Sequence, residues 1–421
     1  MIISFTYSYI LYPLAVILGH FAAVFIPKLR KPILIRYKIF KHLKLWRRSS
    51  RNDRKTVLIH SASMGEFEHI KPLIQKLNDQ FKVNIIVTFF SPSGYNNVKL
   101  FPGVSLFTYI PFDFQWLWRK FYKITNTKLV IISKHDVWIN QIAVAKEMRI
   151  KCVVVNASLS DKSSRNKFFA RLILSSSYQS VDTLFAISEH DKQQFLKSYK
   201  CSNVVVVGDT KFDQVLLRKD SSLNKEIIDR NWLNNKKVIV FGSIWPEDAA
   251  NTLPAVVRLL KTRKDIKVII VPHQLEENII KSIISFLDGL KYINYSGNTY
   301  QMDSDILVID KIGLLADIYK YADIAYVGGS FKYGIHNVME PSVYGIPVIY
   351  GPFHDNSYDA RKLKTEGGSR ITNNVQESEK LFLEFLQKPK LREQIGERAY
   401  TFAMKNTGSS DKIIEKLKHL L

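Results

Sequence analysis

Two glutamates in this 421-residue chain stand where a carboxylate can do chemistry. Glu66 ends the run His60-Ser61-Ala62-Ser63-Met64-Gly65-Glu66, directly after the apolar segment TVLIHS. A carboxylate just past a strand, at a glycine turn entering a helix, is a candidate general base that can take a proton from an acceptor hydroxyl. It is equally a first-turn carboxylate paired with the helix dipole, and position alone does not choose between the two. Glu340 lies within Tyr326–Pro352, YVGGSFKYGIHNVMEPSVYGIPVIYGP, which reads as strand, glycine turn, polar loop, helix and second strand. Gly328 and Gly329 let backbone N–H groups come close to a ligand because no Cβ intervenes. A helix starting near His336 or Asn337 would aim its amide groups at a phosphate. Glu340, one turn in, would then accept hydrogen bonds from ribose hydroxyls. The competing reading is an ordinary strand–turn–helix with a solvated carboxylate.

Other polar residues collect at the ends of apolar runs. Gly242 and Ser243 follow KKVIVF and suit a phosphate cradle, with Glu247 reading as a helix cap. His273 follows KVIIVP and could meet an anionic group, or serve as a structural hydrogen-bonder. Lys211, in Gly208-Asp209-Thr210-Lys211-Phe212-Asp213, could meet an anion or lie on the surface. Several such clusters aimed at one place are stronger evidence than any one of them. No His/Asp/Glu set has metal-ligand spacing, and no GxxxxGK[ST] loop occurs, so a metal centre or an ATPase has little support.

The elements that must carry these residues alternate. TVLIHSA, KVNIIVTFF, LVIISK, KCVVVNA, TLFAIS and NVVVVG read as strands, most of them followed by helical patterns such as MGEFEHIKPLIQKLNDQ. After a polar connection a second set follows, from KKVIVFGS through KVIIVP, KYINY, DILVID and DIAYVGG. Strands apolar on both faces, alternating with helices, mean parallel sheets covered on both sides. The expected architecture is α/β, two Rossmann-like doubly wound domains in tandem, with ligands at the strand carboxyl ends in a central cleft. The boundaries read as 1–27 anchor, 28–54 basic segment, 55–220 first domain, 221–235 linker and 236–421 second domain ending in helices.

The formal charge of +23 is concentrated: between Lys28 and Lys55, Asp53 is the only acid among many lysines and arginines. Ile2–Pro27 contains no Lys, Arg, Asp or Glu and is long enough to cross a hydrocarbon core. A basic run directly after an apolar one places the remainder in the cytoplasm by the positive-inside rule, facing anionic lipid. The charge follows the apolar stretch instead of preceding it, which argues against a cleaved leader. Both spanning and lying in the interface remain open. Confinement of the charge beside the anchor argues against a nucleic-acid binder. Only Cys152 and Cys201 are present, so no disulfide framework is expected.

Taken together the motifs resemble those of the Kdo (3-deoxy-D-manno-octulosonic acid) transferases, membrane-anchored GT-B glycosyltransferases, over almost the whole chain. Ala62-Ser63-Met64-Gly65-Glu66 resembles the family's ASVGE-type segment, and Ser91-Pro92-Ser93-Gly94 its TPTG turn. Tyr109–Asp113 resembles YLPxD, Val155–Ser160 resembles VNARLS, and Gly208–Asp213 resembles GNLKFD. Gly328–Pro352 resembles GGSL…GGHNPLEP…GKPVLFGP. The resemblance implies CMP-Kdo as donor, a lipid A precursor as acceptor, inversion without a metal or other cofactor, and location at the inner membrane. It implies Glu66 as base. It places Gly242, Ser243, Ser330, His336 and Asn337 at the CMP phosphate region and Glu340 at the ribose. Ser63, Gly65, Ser93, Gly94 and Lys211 would lie on the acceptor side or in the cleft.

Two segments depart from the family. METELWPN becomes Ile132–Asn140, with Lys134 replacing one glutamate and Asp136 standing for another as a shorter catalytic-site carboxylate. VPRHPE becomes Val271-Pro272-His273-Gln274-Leu275-Glu276, which replaces a guanidinium fork by His273 and leaves Lys332 as a substitute cation. A GT-B transferase using a UDP- or GDP-sugar, and a catalytically degraded membrane scaffold, are the competing readings. Retention of Glu66 and Glu340 argues against the second.

Overall fold

The computed structural model describes residues 5–51, 53–98, 100–297 and 304–421. The chain divides into two units: residues 1–214 with 407–421, and residues 215–406. Each is built on its own seven-stranded sheet.

In the first unit the strands are β1 (Lys55–Ser61), β2 (Val83–Phe89), β3 (Val104–Tyr109), β4 (Thr127–Ser133), β5 (Lys151–Ala157), β6 (Thr183–Ala186) and β7 (Val204–Val206). Their order is β3-β2-β1-β4-β5-β6-β7, and all are parallel. β1, β2 and β4 are buried almost end to end, as the unbroken apolar runs require of strands covered on both faces. The strand order reverses between β1 and β4, so the loops after them open at the switch point.

In the second unit the strands are β8 (Lys237–Ile244), β9 (Ile266–Pro272), β10 (Ile293–Asn294), β11 (Ile306–Val308), β12 (Ile324–Val327), β13 (Val348–Tyr350) and β14 (Ser369–Ile371). Their order is β10-β11-β9-β8-β12-β13-β14, with the switch between β8 and β12.

β3 and β14 were not expected. VSLFTY mixes Ser and Thr into a half-exposed edge strand, and SRI is three residues long with an arginine at its centre, so neither carries a strong apolar signal. The proposed linker 221–235 is not one. Ile228 and Trp232 belong to the core of the second unit, and Trp232 Nε1 donates to Ser304 O at 2.9 Å. The C-terminus also departs from the expected division. Helix Ser409–Leu417 buries Ile413, Ile414 and Leu417 against the first unit's helix Met64–Gln80 and neighbouring strands. Asp213 holds its start by accepting from Gly408 N and Ser410 N, both at 2.6 Å.

The apolar N-terminal stretch forms a π-helical turn, Tyr7–Leu11, followed by α1 (Tyr12–Phe25). Together these make one helix long and apolar enough to cross a membrane. The basic segment is an ordered helix, α2 (Pro27–Ser49), that buries Ile39, Leu43 and Trp46 in the core of the first unit. Arg30 Nε donates to Ala23 O at 2.8 Å across the α1–α2 turn, where a cation meets the end of a helix. The start of the apolar stretch is tied down by polar groups. Tyr7 Oη donates to Asp113 Oδ2 (3.0 Å), Ser8 Oγ to Asn140 Oδ1 (2.6 Å), and Asp113 N to Tyr12 Oη (2.8 Å).

Candidate functional site

In the first unit Glu66 sits in the opening turn of α3 (Met64–Gln80), with Ser63 as the N-cap. Ser63 Oγ accepts from Glu66 N at 3.4 Å, and Glu66 Oε2 reaches back to accept from Ala62 N at 2.7 Å, in the manner of a capping box. The first-turn position weighed from sequence is real, and one carboxylate oxygen is spent there on a backbone amide. Among the described residues no hydrogen bond reaches the other, Oε1. Glu66 is 7% exposed. Burial raises its pKa above the ordinary 4.5, partly opposed by the Ala62 amide and by Lys134 and His60. A carboxylate so placed is poised to be a better base than a solvated one.

Beside it lies a pair that sequence reading had not joined. His60, at the end of β1 and fully buried, places Nε2 2.7 Å from Asp136 Oδ2 and Nδ1 3.0 Å from Thr88 Oγ1. Burial works against the Asp136 charge, but the His60 hydrogen bond and charge outweigh it and hold the carboxyl below its ordinary value. Asp136 follows Lys134, whose φ of 61° puts a non-glycine residue in the left-handed region, an arrangement that stores strain at a loop near the switch point. The shorter carboxylate of the departed segment is thus held by β1.

Residues grouped with Glu66 from sequence divide in role. Gly65 is exposed and open on its Cβ side. Ser93 lies in the short helix Pro92–Asn97, bonded to Ser91. Gly94 is a packing residue: a Cβ there would stand 2.3 Å from the Phe89 ring. Lys211 lies 3.7 Å from Asp209 and over the Phe212 ring, so its charge is already met.

In the second unit a pocket of ≈ 300 Å³ opens at the ends of β8 and β12, lined by Gly242, Ser243, Val327, His336, Asn337, Glu340, Arg218 and Tyr319 among others. Glu340, with a side chain 14% exposed, pairs with Arg218 at 3.6 Å and accepts from Asn337 Nδ2 at 3.4 Å. Burial raises its pKa, and Arg218 and Asn337 moderate the shift. Arg218 was missed from sequence because it lies in a helix, far along the chain from the glycine turn; its spacing gives no signal. Ser243 has φ 53°, a second strained residue at a strand end.

Four expectations for this segment change. The helix begins at Met339 and ends at Ser342, with Pro341 inside it, so it is one turn and not a helix from His336. Asn337 Oδ1 accepts from Met339 N (3.0 Å), so its oxygen is engaged by the backbone just before that turn. The glycine amides are not free for a ligand: Gly328 N donates to Gly242 O (2.9 Å) and Gly329 N to Asp248 Oδ2 (2.8 Å). Gly328 is required by the approach of two strand ends, since a Cβ would lie 2.3 Å from Ser243 O. Gly328→Ala should therefore push β8 and β12 apart and lower the urea midpoint of the second unit. Ser330 is fully buried, its Oγ accepting from Gly351 N (2.6 Å), and ties β12 to β13.

The cations assigned from sequence also change. Lys332 pairs with Glu247, which leaves the capping position to Asp248, whose Oδ2 accepts from Trp245 N at 2.9 Å. His273 stacks on His336, ring centroids 4.1 Å apart and 9° from parallel, with Trp245 against both Tyr333 and His273. Burial, with His273 beside it, pushes His336 down to about 4, and Trp245 Nε1 donates to its Nε2 at 3.1 Å. At neutral pH this is a neutral aromatic platform, not a phosphate-binding cation. Among the described residues no cluster of three or more His, Cys, Asp or Glu is arranged to hold a metal.

Residues 37–214 match the family model described as 3-deoxy-D-manno-octulosonic-acid transferase (kdotransferase). The chain is 26% identical over 377 residues to the 3-deoxy-D-manno-octulosonic acid transferase of Haemophilus influenzae, covering 87% of each protein. It is 28% identical over 369 residues to that of Chlamydia muridarum, covering 84% of this chain and 83% of the other. A bifunctional glycosyltransferase/methyltransferase of Fusobacterium nucleatum is 30% identical over 342 residues, and the chain spans about half (52%) of its length. Among solved structures, UDP-GlcNAc 2-epimerase of Neisseria meningitidis superposes with a TM-score of 0.61 at 14% identity, covering 86% of this chain and 100% of that one. A glycosyltransferase of Rickettsia africae superposes with 0.54 at 14% identity, covering 87% and 99%. These likenesses show the two-sheet fold.

Proposed function

This chain belongs to the Kdo transferase family of GT-B glycosyltransferases, and we propose that it transfers Kdo from CMP-Kdo to a lipid A precursor. The observation that carries the reading is Glu66: a buried, raised-pKa carboxylate with one oxygen fixed by Ala62 N and the other without a hydrogen bond among the described residues. In the proposed reaction Glu66 takes the proton from a sugar hydroxyl of the acceptor. That oxygen forms a bond to the anomeric carbon of Kdo while the carbon–oxygen bond to the CMP phosphate breaks, with inversion, and CMP leaves with the electron pair. The Asp136–His60 bond ties the loop after β4 to β1 beside Glu66, where the charge of Asp136 favours proton uptake and that of His60 opposes it.

The second unit's pocket suits the nucleotide. Glu340 would accept the ribose hydroxyls, oriented by Arg218 and Asn337, with the backbone at Gly242 and Ser243 near the phosphate. Glu340→Gln removes the ion pair with Arg218 and half of the accepting capacity. CMP affinity should fall about 10–100-fold, on the order of 1.4–2.7 kcal/mol, with the unfolding midpoint little changed; unaltered affinity by calorimetry would refute the ribose assignment.

The helix Tyr7–Phe25 and the basic helix α2 support attachment at the cytoplasmic face of the inner membrane. Because the first turn is bonded to Asp113 and Asn140 and α1 pairs with α2, the reading favours a hairpin lying in the interface over a straight span. The decisive assay is release of CMP from CMP-Kdo by full-length protein in detergent, expected only when a lipid A precursor is present. Release with a UDP-sugar instead would overturn the donor assignment.

A further inference from the structure

The first unit contains a groove of ≈ 270 Å³ between the α1–α2 hairpin and the loops after β2, β3 and β4. Its walls include Ala15 and Gly19 of α1, Ile33 of α2, and Ile110, Phe112 and Trp138 of the loops. We propose that this groove holds one hydrocarbon chain of the acceptor, in the chemical class of fatty acyl groups. The proposal rests on the reading of the protein as a transferase acting on a lipid-linked sugar, and deepens it by naming what grips the lipid.

Four observations argue for this occupant. The lining is overwhelmingly apolar, and its one permanent charge is Arg36. Arg36 donates to Ile110 O (3.2 Å) and Phe90 O (2.9 Å) and lies over the Tyr109 ring at 4.9 Å; no carboxylate pairs with it among the described residues. A guanidinium of this kind at a hydrocarbon groove suits the oxygen atoms at the root of an acyl chain. At Gly19 a Cβ would meet nothing within 4 Å, so the helix surface here faces open space. The opposite side of α1 exposes Leu14, Ile17, Leu18 and Phe21, so the helix that walls the groove on one face presents on its other the apolar surface proposed to enter the bilayer.

The groove also leads toward the candidate base. Trp138 follows Asp136 by two residues, and Ser91 N, next to Phe90, donates to Ala62 O at 2.8 Å in the Glu66 loop. A chain seated here would bring the attached sugar to the loops that carry Glu66.

The test uses full-length protein in anionic phospholipid nanodiscs. Palmitate bearing a diazirine on its chain should label the peptides containing Gly19, Ile33 and Ile110, and an acylated glucosamine-disaccharide phosphate should displace it while the deacylated compound does not. Labelling confined to the outer residues Leu18 and Phe21, or equal displacement by both compounds, would mean bulk lipid or a second copy covers the surface and would overturn the proposal. In a second arm Gly19→Leu fills the groove. The ratio of kcat/KM for the acylated over the deacylated acceptor should drop at least ten-fold, with Gly19→Ala intermediate and the unfolding midpoint kept; an unchanged ratio refutes the groove. Photolabelling needs no turnover, so failure of transfer with both acceptors would count against the transferase reading and leave the labelling result to decide the groove.

Discussion

Glu66→Gln is expected to lower the rate of Kdo transfer by about 10²–10⁴-fold, the range for loss of a general base, with CMP affinity unchanged. Glutamine keeps the side-chain volume and a carbonyl oxygen able to accept from Ala62 N, so the cap at the start of α3 survives while proton uptake does not. pH provides an independent reading. Burial raises the Glu66 pKa above 4.5, so the basic form accumulates only as pH climbs through that higher value. In the wild type kcat/KM should show an acidic limb there, and the residual activity of the variant should lack it. Stability has the opposite sign. A folded-state pKa above the unfolded one means the contribution of this carboxyl is complete below about pH 4.5 and is lost as pH rises through the folded value. Glu66→Gln should therefore be at least as stable as wild type at neutral pH, the difference vanishing in acid. A variant that unfolds instead would show that capping is the whole of this residue's work, and wild-type turnover would remove Glu66 from the mechanism.

Much of this site was legible before the fold because strand ends announce themselves. The runs before His60, Gly242 and His273 are apolar throughout, and polar residues immediately after such runs must lie at the carboxyl ends of parallel strands. Glu66 and Glu340 could be picked out on that basis. What sequence could not show was which polar groups were already satisfied. Gly328 and Gly329 look the same whether their amides meet a phosphate or, as the structure has it, Gly242 O and Asp248 Oδ2. Lys332 reads as a spare cation until Glu247 is found beside it. The same blindness hid Arg218 and His60, whose partners Glu340 and Asp136 are distant in sequence. The last helix escaped for a related reason. Nothing in SSDKIIEKL says that it caps the first sheet's helices and not the second's, because its apolar stripe fits either.

Asp248 shows how far such hidden satisfaction governs the second unit's pocket, and its removal should be the most destabilising single change in that unit. The residue is 1% exposed. Its carboxylate accepts from Trp245 N (2.9 Å), Gly329 N (2.8 Å) and Tyr326 Oη (2.8 Å), joining the loop after β8 to the loop after β12. Asp248→Ala would strand two buried donors, Gly329 N and Tyr326 Oη, at about 1–3 kcal/mol each, and the partly buried Trp245 N at less, and because the three share one acceptor the losses will not add fully. A net loss of about 3–5 kcal/mol is expected, at the upper end for point substitutions. Tyr326→Phe, which removes one donor together with its bond, should cost only about 1 kcal/mol. Function should follow the loops. Trp245 donates to His336, and His336 N donates to Gly328 O, so loosening the Asp248 junction displaces a wall of the pocket without touching any ligand. CMP binding by the folded fraction of Asp248→Ala should weaken at least ten-fold, while Tyr326→Phe stays within three-fold. Urea unfolding and calorimetric titration of both variants check this. Equal stability of the two would mean that the strand pairing of β8 with β12 holds the loops, and that the buried carboxylate is a passenger.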